Sequence, residues 1–390
     1  MPNTPNHKPG AIIIEGHVQG LSNTRALGET GIPVIVVDKN NCVARYSKYC
    51  KAFHRCPAFE SDKLADFLLE LAERENLKDW VLIPSNDHAV YTLSRNKERL
   101  EKVYKVITPG LEIIHNIYDK SRLLAIAQRV NVSTPKTFYA DNTAPKQTGL
   151  TFPVLTKGRQ GLDFYRATGK KAFLANDHQE LLKQLESIAK VFPVHQTFTQ
   201  ELLPFDGTNK TISFTAFCDR GDIKTHWIGE KLREHPIRFG TATCARSISC
   251  DELFAPAQRL LQELNYTGVC EVEFLKDPRD GEYKLIEINA RTWLWVGLAK
   301  ACGVDFAKLI YQYFHDQNSE YPVNYETNYT WLNWFTDIPF SLIAILKSSL
   351  TSKAYLKSLK GKKVDAIWSK SDKKPGFAYL FLLPLFRLTR

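Results

Sequence analysis

The sequence predicts a parallel α/β unit followed by an α+β region, and three observations carry this prediction. Residues 11–38 run apolar strand, turn, helix and apolar strand, as at the start of a parallel sheet. From about residue 151, short strands and turns replace this alternation. Farther along, residues 268–288 contain two apolar strands joined by a turn rich in Asp, Pro and Gly, which indicates an antiparallel hairpin. A chain of 390 residues is long enough for more than one core.

The N-terminal unit is predicted because short apolar runs alternate with segments whose apolar residues have helical spacing. Gly31 ends the first of its helices. Its predicted strands are Ala11–Ile14, Pro33–Asp38 and Trp80–Pro84, and its predicted helices are Leu21–Thr30, Asp62–Glu75 and His88–Lys97. Residues Val106–Thr108 end the unit. The composition changes near residue 115, so we place the first domain at residues 1–115.

The second domain is predicted at residues 116–320, and residues 321–390 lack an α/β rhythm. A turn at Gly158–Gly161 and a long loop from Gly229 to Arg246 are expected between its elements. Its predicted helices are Asp119–Arg129, Asp177–Ala189 and Glu252–Leu264. Its predicted strands are Pro153–Lys157, Val194–Thr199, Thr211–Phe217, Ile223–Ile228, Gly268–Leu275 and Tyr283–Ile288.

Composition and charge exclude several classes of protein. Hydrophobic residues make up 44% and charged residues 24%, which is globular usage. The net charge is +10, but residues 331–390 hold 11 Lys/Arg against 3 Asp/Glu, so the nearly neutral body does not suggest nucleic-acid binding. Eight cysteines without a Cys-x-x-Cys pair suggest reduced thiols and a cytoplasmic protein. The N-terminus lacks an apolar signal region, and the longest apolar runs are too short to span a bilayer.

The predicted hairpin carries the sharpest chemical signal. Glu271 and Glu273 lie on one face of the first strand, and Glu287, Asn289 and Arg291 share a face of the second. Antiparallel pairing brings these side chains opposite one another, where carboxylates need a positive charge between them. Mg²⁺ suits such a gap, because a few carboxylate or amide oxygens and substrate phosphates are its usual ligands. The alternative is a solvated polar face on an ordinary hairpin.

Two lysines and one short segment give weaker signals. Lys120 opens a helix, Lys157 ends a strand, and either can act as a point charge on a polyphosphate. Taken singly, each is more often a surface lysine. The segment from Gln200 to Pro204 follows an apolar strand, and its backbone can pair with an adenine edge.

Taken in order, these motifs resemble the ATP-grasp superfamily, and within it the carboxylate–amine ligases and carbamoyl-phosphate-synthase-like proteins. The resemblance covers about residues 10–320, and Glu-Ile-Asn-Ala-Arg at residues 287–291 with Glu273 is its most specific part. It implies an N-terminal parallel α/β unit, a lid subdomain at about 130–199, an antiparallel-sheet ATP-binding subdomain and a basic C-terminal extension. The chain departs from the family pattern at Thr156 and Gly158 beside Lys157, and in a short glycine loop.

The resemblance also implies roles for particular residues. Lys120 and Lys157 would contact the ATP phosphates, and Gln200, Glu201 and Leu203 would line the adenine site. Glu273, Glu287 and Asn289 would hold Mg²⁺, with Mn²⁺ as an alternative. Arg291 would steady the transferred phosphoryl group, and Arg233 would lie near the carboxylate substrate.

The implied activity is an ATP-dependent ligase that activates a carboxylate as an acyl phosphate and joins it to an amine. Two alternatives stay open, namely an ATP-binding regulatory or scaffold protein and a carbamoyl-phosphate-type step on bicarbonate. A third, NAD binding at Gly16 to Gly20 with Asp38, is disfavoured, because the G-x-x-x-G spacing leaves the pyrophosphate nest incomplete.

The expected partners are a small-molecule carboxylate and amine, with a homodimer as the expected assembly and no nucleic acid. Apolar blocks at Ile338–Leu346 and Phe377–Phe386 flank a stretch, residues 347–374, with nine lysines. This pattern suggests peripheral contact of residues 331–390 with an anionic membrane, on its cytoplasmic face. The alternative is that the apolar blocks pack on the body and the lysines face water.

Overall fold

A computed structural model describes residues 8–139, 150–205, 209–235, 240–316 and 319–388. Within these ranges the chain forms three sheets.

The first sheet has five parallel strands in the order β3-β2-β1-β4-β5. Its strands are β1 (Ala11–Ile14), β2 (Val34–Asp38), β3 (Cys50–Arg55), β4 (Val81–Pro84) and β5 (Lys105–Val106), and its helices are α1 (Val18–Glu29), α2 (Lys63–Glu75), α3 (Asp87–Arg95) and α4 (Lys97–Leu100). The predicted parallel unit is confirmed. Strand β3 was not predicted, because its residues are partly exposed and lack a continuous apolar run.

The turn between β1 and α1 shows what the two glycines of the G-x-x-x-G segment do. A Cβ on Gly20 would lie 2.1 Å from the carbonyl oxygen of Glu15, and one on Gly16 would lie 2.4 Å from Cys42 Sγ. Gly20 therefore allows α1 to pack closely on the turn, and Gly16 allows Cys42, after β2, to approach it. Glu15 itself has a φ of 74°, a left-handed conformation that is uncommon for a residue with a side chain.

The second sheet has four antiparallel strands in the order β6-β9-β7-β8 and lies where the lid subdomain is expected. Helices α5 (Leu111–Tyr118) and α6 (Lys120–Arg129) precede it. Its elements are β6 (Thr137–Tyr139), β7 (Val154–Gly158), α7 (Gly161–Thr168), β8 (Phe173–Ala175), α8 (His178–Ala189) and β9 (Thr197–Glu201). The predicted turn at Gly158–Gly161 is shorter than expected, because Gly161 already begins α7.

The third sheet has seven strands in the order β14-β13-β10-β11-β12-β15-β16, antiparallel except between its last two. Its elements are β10 (Thr211–Asp219), β11 (Asp222–His235), β12 (Thr241–Ser247), α9 (Phe254–Glu263), β13 (Gly268–Lys276), β14 (Tyr283–Asn289), α10 (Val296–Ala301), α11 (Phe306–His315), β15 (Tyr329–Leu332), α12 (Trp334–Leu346), α13 (Ser352–Ser358), β16 (Lys362–Asp365) and α14 (Lys374–Leu388). The long loop expected before Arg246 is wrong, since β11 reaches His235 and β12 pairs with it.

The C-terminal residues are built into this sheet. β15 pairs with β12 and β16 pairs with β15, so residues after 321 extend the sheet by two strands. Asp372 is buried and accepts hydrogen bonds from Arg25 Nε, Ser47 Oγ and the Lys48 amide at 3.0, 2.7 and 3.0 Å. These bonds tie the end of the chain to the N-terminal domain. The domain boundaries given above stay a prediction.

One apolar core runs between the first and third sheets. Ile13 and Val36 share it with Trp227, Trp293 and other fully buried aromatic side chains. Shared burial of this kind fixes the carboxyl edge of the parallel sheet against the β13–β14 hairpin. The carboxylate-bearing hairpin of the sequence prediction lies at this junction.

Candidate active site

The β13–β14 hairpin has the register that the sequence predicts. Glu271 pairs with Asn289 and Glu273 pairs with Glu287 across the two strands. Asn289 Nδ2 donates to Glu271 Oε2 at 3.0 Å, and Ser213 Oγ on β10 donates to Glu271 Oε1 at 2.7 Å. The three carboxylates therefore share one face of the sheet, and they are flanked by buried apolar side chains.

Lys231 on β11 supplies the positive charge that two of these carboxylates need. Its Nζ lies 2.9 Å from both oxygens of Glu273, and the side chains are only 14% and 9% exposed. Burial opposes the charged lysine, but Glu273 and Glu271 together raise its pKa. Burial and the nearby Glu273 raise the pKa of Glu271. The carboxylates of this face are therefore neutralised by cationic side chains, of which Lys231 is one.

Lys120 and Lys157 approach the same hairpin from the lid side. Lys120 Nζ lies 2.7 Å from Glu287 Oε2, and this ammonium lowers the pKa of Glu287. Lys157 Nζ donates to Gln200 Oε1 at 3.4 Å. Burial and, second, the neighbouring Lys120 lower the pKa of Lys157 to about 8. Two ammonium groups placed so close to each other form a site that favours a polyanion.

The start of α6 is fixed against the turn after β7. Asp119 caps α6 by accepting from the Ser121 amide at 2.9 Å, and Arg159 Nη2 donates to Asp119 Oδ2 at 3.1 Å. The Lys120 amide also donates to the carbonyl oxygen of Arg159 at 2.9 Å. These bonds explain how Lys120 and Lys157, on different elements, come to face the same carboxylate.

Arg291 points from the hairpin toward the N-terminal domain. Its Nε and Nη2 donate to the two carboxylate oxygens of Asp87, the first residue of α3, at 2.8 and 3.0 Å. The side chain of Asn86 caps this helix by accepting from the Ala89 amide at 2.8 Å. The pair joins the hairpin to the carboxyl edge of the parallel sheet.

Glu15 lies at that edge, directly after β1. Burial and the nearby Asp38 raise its pKa to about 8, although the Arg291 charge favours its ionised form. Gln19 Nε2 donates to the Ser85 carbonyl oxygen at 2.6 Å. Within the described part of the chain, Gln19 Oε1 and Ser85 Oγ are buried and lack hydrogen-bond partners. Buried polar atoms without hydrogen-bond partners, next to a carboxyl group whose pKa is raised, are typical of a ligand site.

The segment at the end of β9 connects the lid to the hairpin. Glu201 accepts from the Lys136 amide and from Arg279 Nη1, both at 2.9 Å, and Gln200, Glu201 and Leu203 are buried. The Glu201 amide already donates to the Lys136 carbonyl oxygen at 2.9 Å. Side-chain contacts of Glu201 therefore brace the segment, and an adenine contact would fall to the backbone beyond β9.

Arg233 departs from the other predicted site residues. Its guanidinium donates to both oxygens of Asp337 on α12 at 2.7 Å and lies over the Tyr355 ring at 4.8 Å. It also donates to Ser358 Oγ on α13. The structure thus directs Arg233 to the C-terminal helices, because a buried carboxylate there pairs with its charge. Its expected place beside a substrate carboxylate stays a prediction.

The structure adds three residues that the sequence reasoning missed: Lys231, Glu15 and Asp87. Lys231 lies on β11 two residues before Arg233, and a bulge between them points their side chains to opposite faces of the strand. A correct prediction of β11 would have revealed Lys231. Glu15 and Asp87 each follow a buried parallel strand, at the edge where ligands bind in such sheets. The hydroxyl of Tyr118 adds a contact there, donating to the Asp87 carbonyl oxygen at 3.1 Å.

Comparison with known proteins gives a family match and two curated relatives. Residues 240–313 match the family model of the carbamoyl-phosphate synthase L chain, ATP binding domain. D-aspartate ligase of Enterococcus faecium is 23% identical over 263 residues, which cover 63% of this chain and 62% of the relative. The C-terminal section of the carbamoyl phosphate synthase large chain of Methanopyrus kandleri is 20% identical over 54% of this chain and 39% of its own length. The chain thus spans about three fifths of the length of the first relative and about two fifths of the length of the second.

Solved structures show the same fold over most of the chain. Biotin carboxylase of Campylobacter jejuni superimposes with a TM-score of 0.66 at 16% identity, over 83% of this chain and 74% of that one. N5-carboxyaminoimidazole synthetase of Staphylococcus aureus superimposes with a TM-score of 0.62 at 17% identity, over 84% of this chain and 82% of that one. L-amino acid ligase of Bacillus licheniformis superimposes with a TM-score of 0.58 at 15% identity, over 79% of this chain and 74% of that one. The chain has the ATP-grasp fold, and the predicted resemblance is confirmed.

Proposed function

We propose that this chain, with its ATP-grasp fold, is an ATP-dependent ligase that activates a carboxylate as an acyl phosphate and joins it to an amine. The observation that carries the proposal is the meeting of Lys120, Lys157, Lys231 and Arg291 on one carboxylate-bearing hairpin. Such a site can bind a nucleotide triphosphate and stabilise charge on a transferred phosphoryl group. The relatedness to D-aspartate ligase and the likeness to L-amino acid ligase support this reaction class.

The proposed nucleotide site lies between the lid sheet and the hairpin. Lys120 and Lys157 would contact the phosphates, and the adenine would lie against Gln200, Glu201 and Leu203. Lys120 now pairs with Glu287 at 2.7 Å, so phosphate binding requires this lysine to exchange one anionic partner for another. A nearby cation that replaces it at Glu287 makes the exchange favourable.

The donor set fits Mg²⁺ better than a metal held by protein alone. Across the described ranges, no three His, Cys, Asp or Glu side chains converge on one point. Glu273 and Glu287 face each other with Asn289 beside them, which supplies two carboxylates and an amide oxygen. Mg²⁺ is commonly held by one or two carboxylates plus substrate phosphates, and Mn²⁺ accepts the same ligands. When bound, the ion would neutralise charge on the β- and γ-phosphates.

The proposed reaction has two steps, and we place them on either side of the Asp87–Arg291 ion pair. A substrate carboxylate oxygen attacks the γ-phosphorus and ADP leaves, while Arg291 steadies the transferred group. The amine then attacks the carbonyl carbon, and phosphate leaves as the new C–N bond forms. We place the amine at Glu15, whose carboxylate would accept the proton that the amine loses. Its raised pKa, about 8, is suited to that proton transfer near neutral pH.

A second candidate is carboxyphosphate formation from bicarbonate. It is supported by the match of residues 240–313 to the carbamoyl-phosphate synthase family and by the likeness to biotin carboxylase. The two candidates differ in what nucleophile ADP formation requires. Bicarbonate alone would support ADP formation in the second case, whereas a carboxylic acid would be needed in the first.

The test is ADP and phosphate release with Mg²⁺ and ATP in a matrix of carboxylates and amines, including bicarbonate. We expect release only when one carboxylate and one amine are both present. Glu287→Gln should abolish it, and Glu282→Gln, in the exposed hairpin turn, should not. ATP binding without ADP release across the matrix would instead identify a regulatory or scaffold protein.

We propose a cytoplasmic location, because all eight cysteines are free thiols, as expected in a reducing compartment. None of the described helices has the length and apolar composition of a membrane span. The substrates would be small molecules, and a homodimer stays a prediction that sedimentation can check. Peripheral contact of residues 331–390 with an anionic membrane stays a prediction.

A further inference from the structure

Helix α12 has its polar residues inside and its apolar residues outside. Its two buried residues are Asp337 and Ser341, and Asp337 is held by Arg233 at 2.7 Å and by Thr243 Oγ1 at 2.9 Å. Its outward side chains are exposed by 42 to 84%, namely Ile338, Leu342, Ile343 and Leu346. A helix that faces water normally has the opposite arrangement. The outer face of α12 is therefore suited to a surface that is not water.

Helix α14 carries a second exposed apolar stripe next to the first. Phe377, Leu380 and Phe381 are 56, 45 and 80% exposed. Tyr379 on the same helix is buried, and its ring centroid lies 4.9 Å from that of Phe335 on α12. The two helices are therefore in contact, and exposed apolar surface of this kind marks an interaction site.

Basic side chains surround this apolar surface. Nine lysines lie between residues 347 and 374, and all nine are exposed. The two aspartates in this stretch do not neutralise the lysine charge at the protein surface. Asp372 is buried and bonded to Arg25, and Asp365 accepts hydrogen bonds from the Ile367 and Trp368 amides. The region therefore presents apolar stripes together with a net positive charge, although Lys362 pairs with the exposed Glu326 at 3.2 Å.

We propose that α12, α14 and the lysines of residues 347–374 dock on an anionic membrane surface. The stripes of α12 and α14 would enter the interface, and the lysines would contact lipid headgroups. Stable peripheral binding usually requires both an apolar and a polybasic signal, and this face has both. A second copy of the chain fits less well, because pairing two such faces brings lysine-rich surfaces together.

Arg233, which holds Asp337, joins α12 to β11. Lys231, which holds Glu273, lies two residues earlier, and a bulge between the two residues points their side chains to opposite faces of the strand. This proposal rests on the exposed face alone and does not require that the chain be a ligase.

The test is co-sedimentation of the full chain with vesicles of phosphatidylcholine alone or with 30% phosphatidylglycerol, at about 0.1 and 0.5 M salt. We expect binding to the anionic vesicles that weakens at high salt, since each lysine near the surface contributes about fivefold. Leu342→Glu should weaken binding at least tenfold. Its matched control is Val191→Glu, in the lid region, where the side chain is similarly exposed at 58% against 56%.

Leu346→Glu, at 84% exposure, is a second variant that should leave the fold intact. Equal thermal midpoints of the variants and the parent establish that folding is unchanged. No binding by the parent, equal binding to neutral vesicles, or an equal effect of Val191→Glu overturns the proposal. So does a dimer that Leu342→Glu converts to monomer without any change in vesicle binding. Because these assays contain no nucleotide, they are independent of the proposed ligase activity.

Discussion

Replacement of Lys231 by glutamine should remove the cation on which the hairpin carboxylates depend. Lys231 Nζ is the partner of both oxygens of Glu273, at 2.9 Å, and the charge of Glu271 lies nearby. In Lys231→Gln, Glu273 and Glu271 would lose the ammonium group beside them, while Lys120 would still pair with Glu287. The chain should still fold, because the glutamine amide can donate one hydrogen bond in the same place.

Breaking a buried ion pair by removing one partner costs about 3–5 kcal/mol. An unfolding entropy of about 2.1 cal/mol/K per residue gives about 0.8 kcal/mol/K for 390 residues. The thermal midpoint should therefore fall by about 4–6 °C in Lys231→Gln, as measured by circular dichroism. ADP release should also be lost, since the variant can no longer orient Glu273.

Lys284→Gln is the matched control. The Lys284 side chain is also largely buried, with 11% of its surface exposed, and it also pairs with two carboxylates of the hairpin. Its partners Asp280 and Glu282 are 44 and 58% exposed, so its loss should cost under about 1 kcal/mol. ADP release should persist in this variant. Equal midpoint changes in the two variants would refute the reasoning that the hairpin face concentrates buried negative charge.

Three further outcomes follow from the site. Glu287→Gln should lose ADP release while its thermal midpoint stays within about 3 °C of the parent, because this carboxylate is partly exposed and pairs with one lysine. Lys157→Gln should raise the KM for ATP about tenfold or more, and an unchanged KM in initial-rate assays would exclude a phosphate contact. Burial and Asp38 raise the pKa of Glu15 from 4.5 to about 8, so its contribution to stability is complete below pH 4.5 and is lost as pH rises to 8. The neutral Glu15→Gln should therefore match the parent at pH 4.5 and melt about 2 °C higher at pH 8.5, a difference of about 2 kcal/mol after allowance for partial exposure.

The sequence predicted the hairpin site because its information is local. Period-two spacing and a short turn were enough to place Glu273 opposite Glu287, and the register confirms it. The parallel sheet was also predictable, since β1, β2 and β4 are fully buried apolar runs. Edge elements such as β3 were missed, because partial exposure removes the apolar pattern.

Contacts between distant segments were beyond sequence reasoning. Lys231 was overlooked because polar residues in β11 made residues 229–246 look like a loop, whereas pairing with β12 holds them in a strand. The pairing of Arg233 with Asp337 joins residues 104 positions apart, and nothing in either local pattern indicates it. Tertiary partners of this kind override local propensity.

Integration of the C-terminal residues also decides how their role can be tested. Deleting residues 331–390 would remove half of β15 and all of β16 from the third sheet, and the buried Trp331 from the shared core. It would also leave Arg25 without Asp372 and Arg233 without Asp337, two buried ion pairs broken at once. Such a truncation would destabilise the body, so its loss of membrane binding would be indistinguishable from loss of fold. A single substitution at Leu342 avoids this, because that side chain is 56% exposed, whereas the buried residues of α12 are Asp337 and Ser341.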